Sequence, residues 1–176
     1  MAVSAALIGG VLVKQYRSAP PESTARSTSP GVDMAINQLH FSEMRADAKL
    51  WDLSAEHAEY DKETGTTVLL DVRAEIIGDK TGTLEITSKR GSYDEPRKIV
   101  VMQQQVHAVT KRGMVFDTDR LEYRTIPGQI VTVHPVSVRD GRLTLHAHGM
   151  VLSLQDEQVS FKGPVEAVIE GYDGKR

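Results

Sequence analysis

From Lys49 to Ile76 the chain alternates apolar and polar residues, and the same alternation returns three more times. In the first stretch a small residue, Ala55, is followed after two polar positions by Ala58 and then Tyr60. A polar turn with Gly65 comes next, then an apolar run through Val68 and Leu70, and a closing Val72-x-Ala74-x-Ile76. The second copy runs from Ser88 through Gly91 and Tyr93, a turn at Glu95-Pro96, Ile99 and Val101, to Val106-x-Ala108. The third runs from Thr118 through Leu121 and Tyr123, a turn at Pro127-Gly128, and Ile130 to Val133, to Val136-x-Val138. The fourth runs from Ala147 through Met150 and Leu152, a turn at Gln155 to Glu157, Val159 and Phe161, to Val165-x-Ala167-x-Ile169. Tyr60 to Val72, Tyr93 to Val106, Tyr123 to Val136 and Leu152 to Val165 are separations of 12, 13, 13 and 13 residues. A period near 30 marks a repeat architecture.

A period of two puts successive side chains on opposite faces of a strand, so each copy predicts strands with one dry and one wet face. Val, Ile, Thr and Tyr suit such a pleated, half-buried surface. Asp79-Lys80-Thr81-Gly82, Lys111-Arg112-Gly113 and Asp140-Gly141 read as hairpin turns between copies. One copy of about 30 residues cannot bury its own apolar face, so the copies share a core. The predicted fold is all-β and antiparallel; the plainer alternative is an ordinary sandwich whose strands resemble one another by chance. Strand alternation is taken to turn Leu53, Val68, Leu70 and Val72 inward, with Leu84, Ile86, Ile99, Val101 and Val106. It does the same for Tyr123, Val136, Leu145, Val159 and Phe161. Asp52, Glu56, Glu59, Asp71 and Glu75 fall at the outward positions, the usual pattern of a solvated face. The last strand, Val165 to Glu170, has no copy after it to pair with. Pro164 stands only at its start and Lys175 and Arg176 lie beyond it, so Val165, Ala167, Val168 and Ile169 form an edge left open for a partner strand.

The 176 residues make one domain and a tail. A net charge of −3 supplies no basic field for nucleic acid. Without cysteine there is no disulfide, thiolate metal site or Cys nucleophile. Residues 1–17 open with the apolar run MAVSAALIGGVLV, followed by Lys14 and Arg17. Three readings stand: a membrane anchor that starts upstream of Met1, a signal-peptide core without its basic flank, or a short buried helix. The anchor is preferred, and the position of Lys14 and Arg17 against the positive-inside rule points to a missing N-terminal piece. Residues 18–31, rich in Pro, Ser and Thr, read as a flexible tether. The β-domain is expected over 32–171, opening on a strand that carries Ile36, Leu39 and Phe41, and 172–176 form the tail.

Catalytic motifs are missing: there is no glycine-rich phosphate loop, no G-x-S-x-G and no H-E-x-x-H. His146-x-His148, with His134 and Glu157 nearby in sequence, would resemble a cupin metal site. The spacings from Gly141 to His146 and from His148 to Glu157 depart from that pattern, and the apolar Leu143, Leu145 and Ala147 take the opposite face. Both imidazoles should therefore meet water, and neither a metal nor another cofactor is expected.

The run Lys49-Leu50-Trp51-Asp52-Leu53-Ser54-Ala55-Glu56-His57-Ala58-Glu59-Tyr60 resembles the opening of the periplasmic domain of the LptC family, with its W-x-L-x-A-x-x-A-x-Y pattern. Gly91-Ser92-Tyr93, Thr118 to Tyr123 and Gly149-Met150 follow in that family's order. The resemblance implies an open β-jellyroll of two facing antiparallel sheets, whose apolar groove shelters the acyl chains of lipopolysaccharide. It implies a non-enzymatic transport role, anchored in the inner membrane by a single N-terminal span with the β-domain in the periplasm. The implied partners are lipopolysaccharide, the permeases of the inner-membrane Lpt ABC transporter at the N-terminal edge, and an LptA-type bridge protein at the C-terminal edge. Three alternatives stay open: a soluble LptA-like bridge component, a structural β-repeat protein that polymerises edge to edge, and a cupin-like metal-dependent enzyme.

Overall fold

A computed structural model describes residues 34–45, 48–78, 82–156 and 158–171, and the segments 1–17 and 18–31 and the tail 172–176 lie outside the described residues. Among the described residues ten strands form a single antiparallel sheet. They are β1 (Met34–Arg45), β2 (Ala48–Asp61), β3 (Thr66–Gly78), β4 (Gly82–Asp94) and β5 (Ile99–Thr110). The chain continues with β6 (Val115–Arg124), β7 (Gln129–Asp140), β8 (Leu143–Ser153), β9 (Gln158–Phe161) and β10 (Val165–Ile169). Neighbours in sequence pair in order from β1 to β8, and β8 then carries both β9 and β10. The four sequence copies are thus four hairpins: β2–β3, β4–β5, β6–β7, and β8 with the broken strand β9 and β10. Gly65 and Gly128 adopt positive φ in two of the hairpin turns, where a side chain would strain the backbone.

Each of β1 to β8 carries a bulge near its middle. In the first strand of each hairpin, the inward positions on either side of the interruption lie three residues apart instead of two. They are Ala55 and Ala58, Ser88 and Gly91, Thr118 and Leu121, and Ala147 and Met150. In the second strands the inward Leu69 and Val72 also lie three apart, whereas Met102 and Val106, and Thr132 and Val136, lie four apart. In β1 it falls between Ile36 and Leu39. Left-handed backbone marks the line at Gln38, Asp71, Gln104, Gln105 and Gly149. The pairing register shifts between Thr87 and Arg90, Gln103 and Val106, Thr118 and Glu122, and Thr132 and Pro135. Such bulges bend a strand and raise its twist. Aligned across the sheet, they make one continuous crease.

A bulge strands backbone polar groups, and inside a core these need partners. Ser88 and Thr132 are the buried polar side chains among the described residues, and both serve this purpose. The Ser88 hydroxyl donates to the Arg90 carbonyl at 2.8 Å. Thr132 donates to the Arg120 carbonyl at 2.6 Å and accepts from the His134 amide at 3.1 Å. Thr118 donates to the Pro135 carbonyl at 2.8 Å. On the outside of the crease, Lys89 meets Asp71 at 3.1 Å and Arg120 donates to Gln103 at 3.2 Å.

The crease divides the sheet into two leaves that fold onto each other, so the two facing sheets expected from the sequence are halves of one. Leaf A holds the segments around Trp51, Ile76, Leu84, Phe116 and Val138, and leaf B those around Leu69, Tyr93, Val100, Tyr123 and Leu152. Trp51 of leaf A touches Tyr93 and Tyr123 of leaf B, with ring centroids 5.8 and 6.2 Å apart. The core is aliphatic apart from this cluster and Phe116.

The structure also corrects four facings. The sequence reading turned Val68, Leu70, Ile99 and Val101 inward; the structure instead buries Leu69, Val100 and Met102. Val68 is 45% exposed, and Leu70, Ile99 and Val101 sit on the outer face of leaf B. In β3 the residue inserted at Asp71 breaks the count of two, so Val68 and Leu70 share the parity of the buried Val72 yet face outward. In β5 Val100, Met102 and Val106 keep one parity, and Ile99 and Val101 fall on the opposite face.

Candidate functional site: the interior between the leaves and its two rims

The inner surface runs across the sheet as rows of paired residues. In leaf A one row is Phe41, Leu53, Ala74, Ile86, Ala108, Phe116, Val138, Leu145 and Ala167. In leaf B the matching row is Tyr60, Thr67, Tyr93, Val100, Tyr123, Ile130, Leu152 and Val159. Of the inward residues expected from sequence, Leu53, Val72, Leu84, Ile86, Val106, Tyr123 and Val136 are buried in the core. Leu145, Val159 and Phe161 are half-buried and pack on its margin. The two groups therefore differ in kind: the first holds the leaves together, and the second lines a rim.

The C-terminal rim is β10. Val165, Ala167 and Ile169 pair with Ala147, Leu145 and Leu143 and so share the inner face, yet all five β10 residues are exposed. Nothing in the described residues covers this apolar strip, and no strand pairs with the far side of β10. The Glu170 amide donates to the Arg142 carbonyl at 2.9 Å. The alternation of an antiparallel ladder turns the Val168 and Glu166 amides the same way, toward β8, and leaves those of Val165, Ala167 and Ile169 on the unpaired side. Val168 points outward, 45% exposed. Of the four expected edge residues, Val165, Ala167 and Ile169 offer the backbone donors.

The N-terminal rim is β1, the other edge of the sheet. Its inner face carries Met34, Ile36, Leu39, Phe41 and Glu43. Sequence reasoning noticed the apolar residues of this strand but missed Glu43, an acidic side chain on an inner face. Its carboxylate accepts from the Trp51 indole N–H at 2.6 Å. Phe41 lies 5.1 Å from Trp51 and 5.5 Å from Tyr93. Burial pushes the Tyr93 phenol above its ordinary pKa, opposed by Lys98, whose ammonium donates to the phenol oxygen at 3.4 Å.

The interior is not filled throughout. A half-enclosed cleft of about 250 Å³ lies beside β1, lined by Met34, Ile36, Leu39, Phe41, Leu53, Ala58, Tyr60, Thr67, Tyr93 and Glu95. A second of about 110 Å³ lies between leaf A at Leu84, Met114 and Phe116 and leaf B at Leu152, Leu154 and Val159. Both are mainly apolar.

On the outer face His146 and His148 are exposed, as alternation requires, and His134 is half-buried across the crease; Glu157 lies outside the described residues. Among the described residues no group of three or more His, Asp or Glu is placed to hold a metal ion. Asp52, Glu56, Glu59, Asp71 and Glu75 are none of them buried.

A single antiparallel sheet creased onto an apolar interior, with both edge strands unpaired among the described residues, defines an open β-jellyroll. The fold is similar to that of LptH from Pseudomonas aeruginosa, the LptA homologous periplasmic component of the conserved lipopolysaccharide transport device. The TM-score is 0.53 at 16% identity, over 68% of this chain and 94% of that one. No curated protein matches the chain. The chain belongs to the LptC family: the family described as lipopolysaccharide-assembly, LptC-related, matches residues 1–170. Its role is in lipopolysaccharide transport.

Proposed function

We propose that this protein shelters the acyl chains of lipopolysaccharide between its two leaves and passes them from the β1 rim to the β10 rim. In this reading residues 1–17 anchor the chain in the inner membrane with a single span, and 18–31 tether the β-domain, 32–171, in the periplasm. The β1 edge meets the permeases of the Lpt ABC transporter, and the β10 edge continues into an LptA-type bridge protein by strand addition. The role is non-catalytic. The observation that carries the reading is β10 itself. It combines an uncovered apolar inner strip, Val165, Ala167 and Ile169, with an unpaired backbone edge. Each CH₂ hidden from water is worth about 0.8 kcal/mol, so a lipid with several long chains needs such a lining at every point of an aqueous crossing.

The lining that serves passage is the half-buried set, Leu145, Val159 and Phe161 with Ile36 and Leu39. Leu53, Val72, Leu84, Ile86, Val106, Tyr123 and Val136 support it from the packed core. Val68, Leu70, Ile99 and Val101 belong to the outer face and take no part. A photo-crosslinking residue at Ala167 or Val159 is expected to capture lipopolysaccharide, while one at Val68 is not. Equal capture at Val68 would defeat the reading.

A further inference from the structure

The two interior clefts share no lining residue. Between them stand Phe41 and Trp51 of leaf A and Tyr93 and Tyr123 of leaf B, in van der Waals contact across the leaves. Phe41 and Tyr93 form one wall of the β1 cleft. Trp51 lies two strands from Leu84, and Tyr123 two strands from Leu152, both of which line the second cleft. Trp51, Tyr123 and Tyr93 are 1%, 5% and 9% exposed, so these three rings close on one another, while Phe41, 38% exposed, stands on the side of the β1 cleft. We propose that these four rings are an internal barrier across the lipid path, and that Glu43 is the latch that holds it shut. The inference rests on the lipid-passage reading above.

The latch follows from the chemistry of the contact. An indole has a single polar donor, and here it meets a carboxylate at 2.6 Å, a charge-assisted bond stronger than one between neutral groups. This bond fixes the plane of the largest ring in the barrier. Glu43 sits on β1, the edge strand, directly opposite Trp51. A displacement of that edge therefore reaches the barrier directly, through this hydrogen bond and through Phe41, which the same strand carries. An acyl chain in the β1 cleft cannot reach the second cleft until Trp51 swings away from Tyr93 and Tyr123.

The full chain has no cysteine, so Met34→Cys gives a single thiol on the inner face of the β1 cleft. A thiol-reactive acyl chain with a terminal diazirine is attached there, irradiated, and its insertion sites mapped by mass spectrometry. In the otherwise unsubstituted protein, insertion is expected around Ile36, Leu39 and Tyr60. Trp51→Ala should raise the share reaching Met114, Phe116 and Val159 several-fold. Glu43→Gln and Trp51→Phe, which weaken or delete the hydrogen bond while keeping the packing, should give a smaller rise in the same direction. They keep the test decisive if Trp51→Ala fails to fold. Insertion confined to the first cleft in all folded variants overturns the barrier, as does insertion in both clefts with Trp51 and Glu43 intact. Loss of all interior insertion in the parent protein overturns lipid passage itself, and the barrier with it.

Discussion

Leu69 and Leu70 are adjacent, chemically identical, and separated by the crease logic alone. Leu69 is 0% exposed, and its cross-strand neighbours on the inner face are Ala58 and Gly91. It therefore fills space that two small residues leave empty, and neither can expand to close a cavity. Leu69→Ala should lose the transfer energy of the removed carbons plus an almost unrelaxed cavity, together about 3–5 kcal/mol. Leu70 lies on the outer face between His57 and Arg90, only half-buried, and Leu70→Ala should cost less than about 1 kcal/mol. Urea unfolding followed by far-UV circular dichroism gives both values, compared at equal m. A domain with a total stability of about 5–15 kcal/mol would show the first loss as a large drop in midpoint. Continuous alternation from Val72 predicts the opposite order, with Leu70 the core residue. Equal losses, or a larger one at Leu70, would refute the crease as described.

Three further outcomes are expected. A Cβ on Gly91 would lie 2.9 Å from the Val101 carbonyl oxygen and 3.2 Å from a Val72 methyl. Overpacking of about 1–3 kcal/mol outweighs the gain of about 0.5–1 kcal/mol from leaving glycine in a strand, so Gly91→Ala should lower the melting temperature; an unchanged or higher value contradicts this. Ala167→Pro removes a backbone donor from the unpaired side of β10 and should weaken capture of a purified LptA-type protein with little change in melting. Val168→Pro removes a donor facing β8 and should lower stability; capture unaffected by Ala167→Pro would exclude this edge as the docking site. Burial pushes the Asp52 carboxyl up, but hydrogen bonds from Ser42 and Lys49 and the nearby His40 outweigh it and hold its pKa below the ordinary value. A depressed folded pKa gives stability that is present above about pH 4 and lost as pH falls through the folded value. Asp52→Asn should therefore flatten stability against pH below about 4, and an unchanged acid profile would show that the cluster contributes nothing.

Much of the architecture was legible because repeats and alternation are properties of residue order. The hairpins, their turns at Gly65 and Gly128, and the outward His146 and His148 all follow from a count of two with polar interruptions. The inner face of β3 did not follow, since the count fails where Asp71 enters left-handed backbone. In β5 a count of two back from Val106 does reach Met102 and Val100, but the run Ile99 to Met102 is apolar at every position and hides which face is inner. Nothing in the Asp71 side chain announces the failure, for it sits in an otherwise regular alternation. The signal was present only in comparison between copies, where Ala55 and Ala58, like Ser88 and Gly91, stand three apart. Glu43 was invisible for another reason. A carboxylate reads as outward unless its partner is known, and that partner, the Trp51 indole, lies across a strand pair.

The two ends of the crease are built differently. At the N-terminal side β1 runs across it unbroken from Met34 to Arg45, so one backbone ties the two leaves together. At the C-terminal side the chain leaves β9 at Phe161 and begins β10 at Val165, with Gly163 at positive φ and Pro164 between them. Each leaf there ends in its own short strand. Mechanically the molecule resembles a book bound firmly at the front and split down the spine at the back. Load applied to the first edge is shared by both leaves, whereas a strand docked on β10 pulls on leaf A alone. The resulting stiffness gradient points one way along the path, and the stacked hairpins extend its span by about 10 Å for each pair of strands.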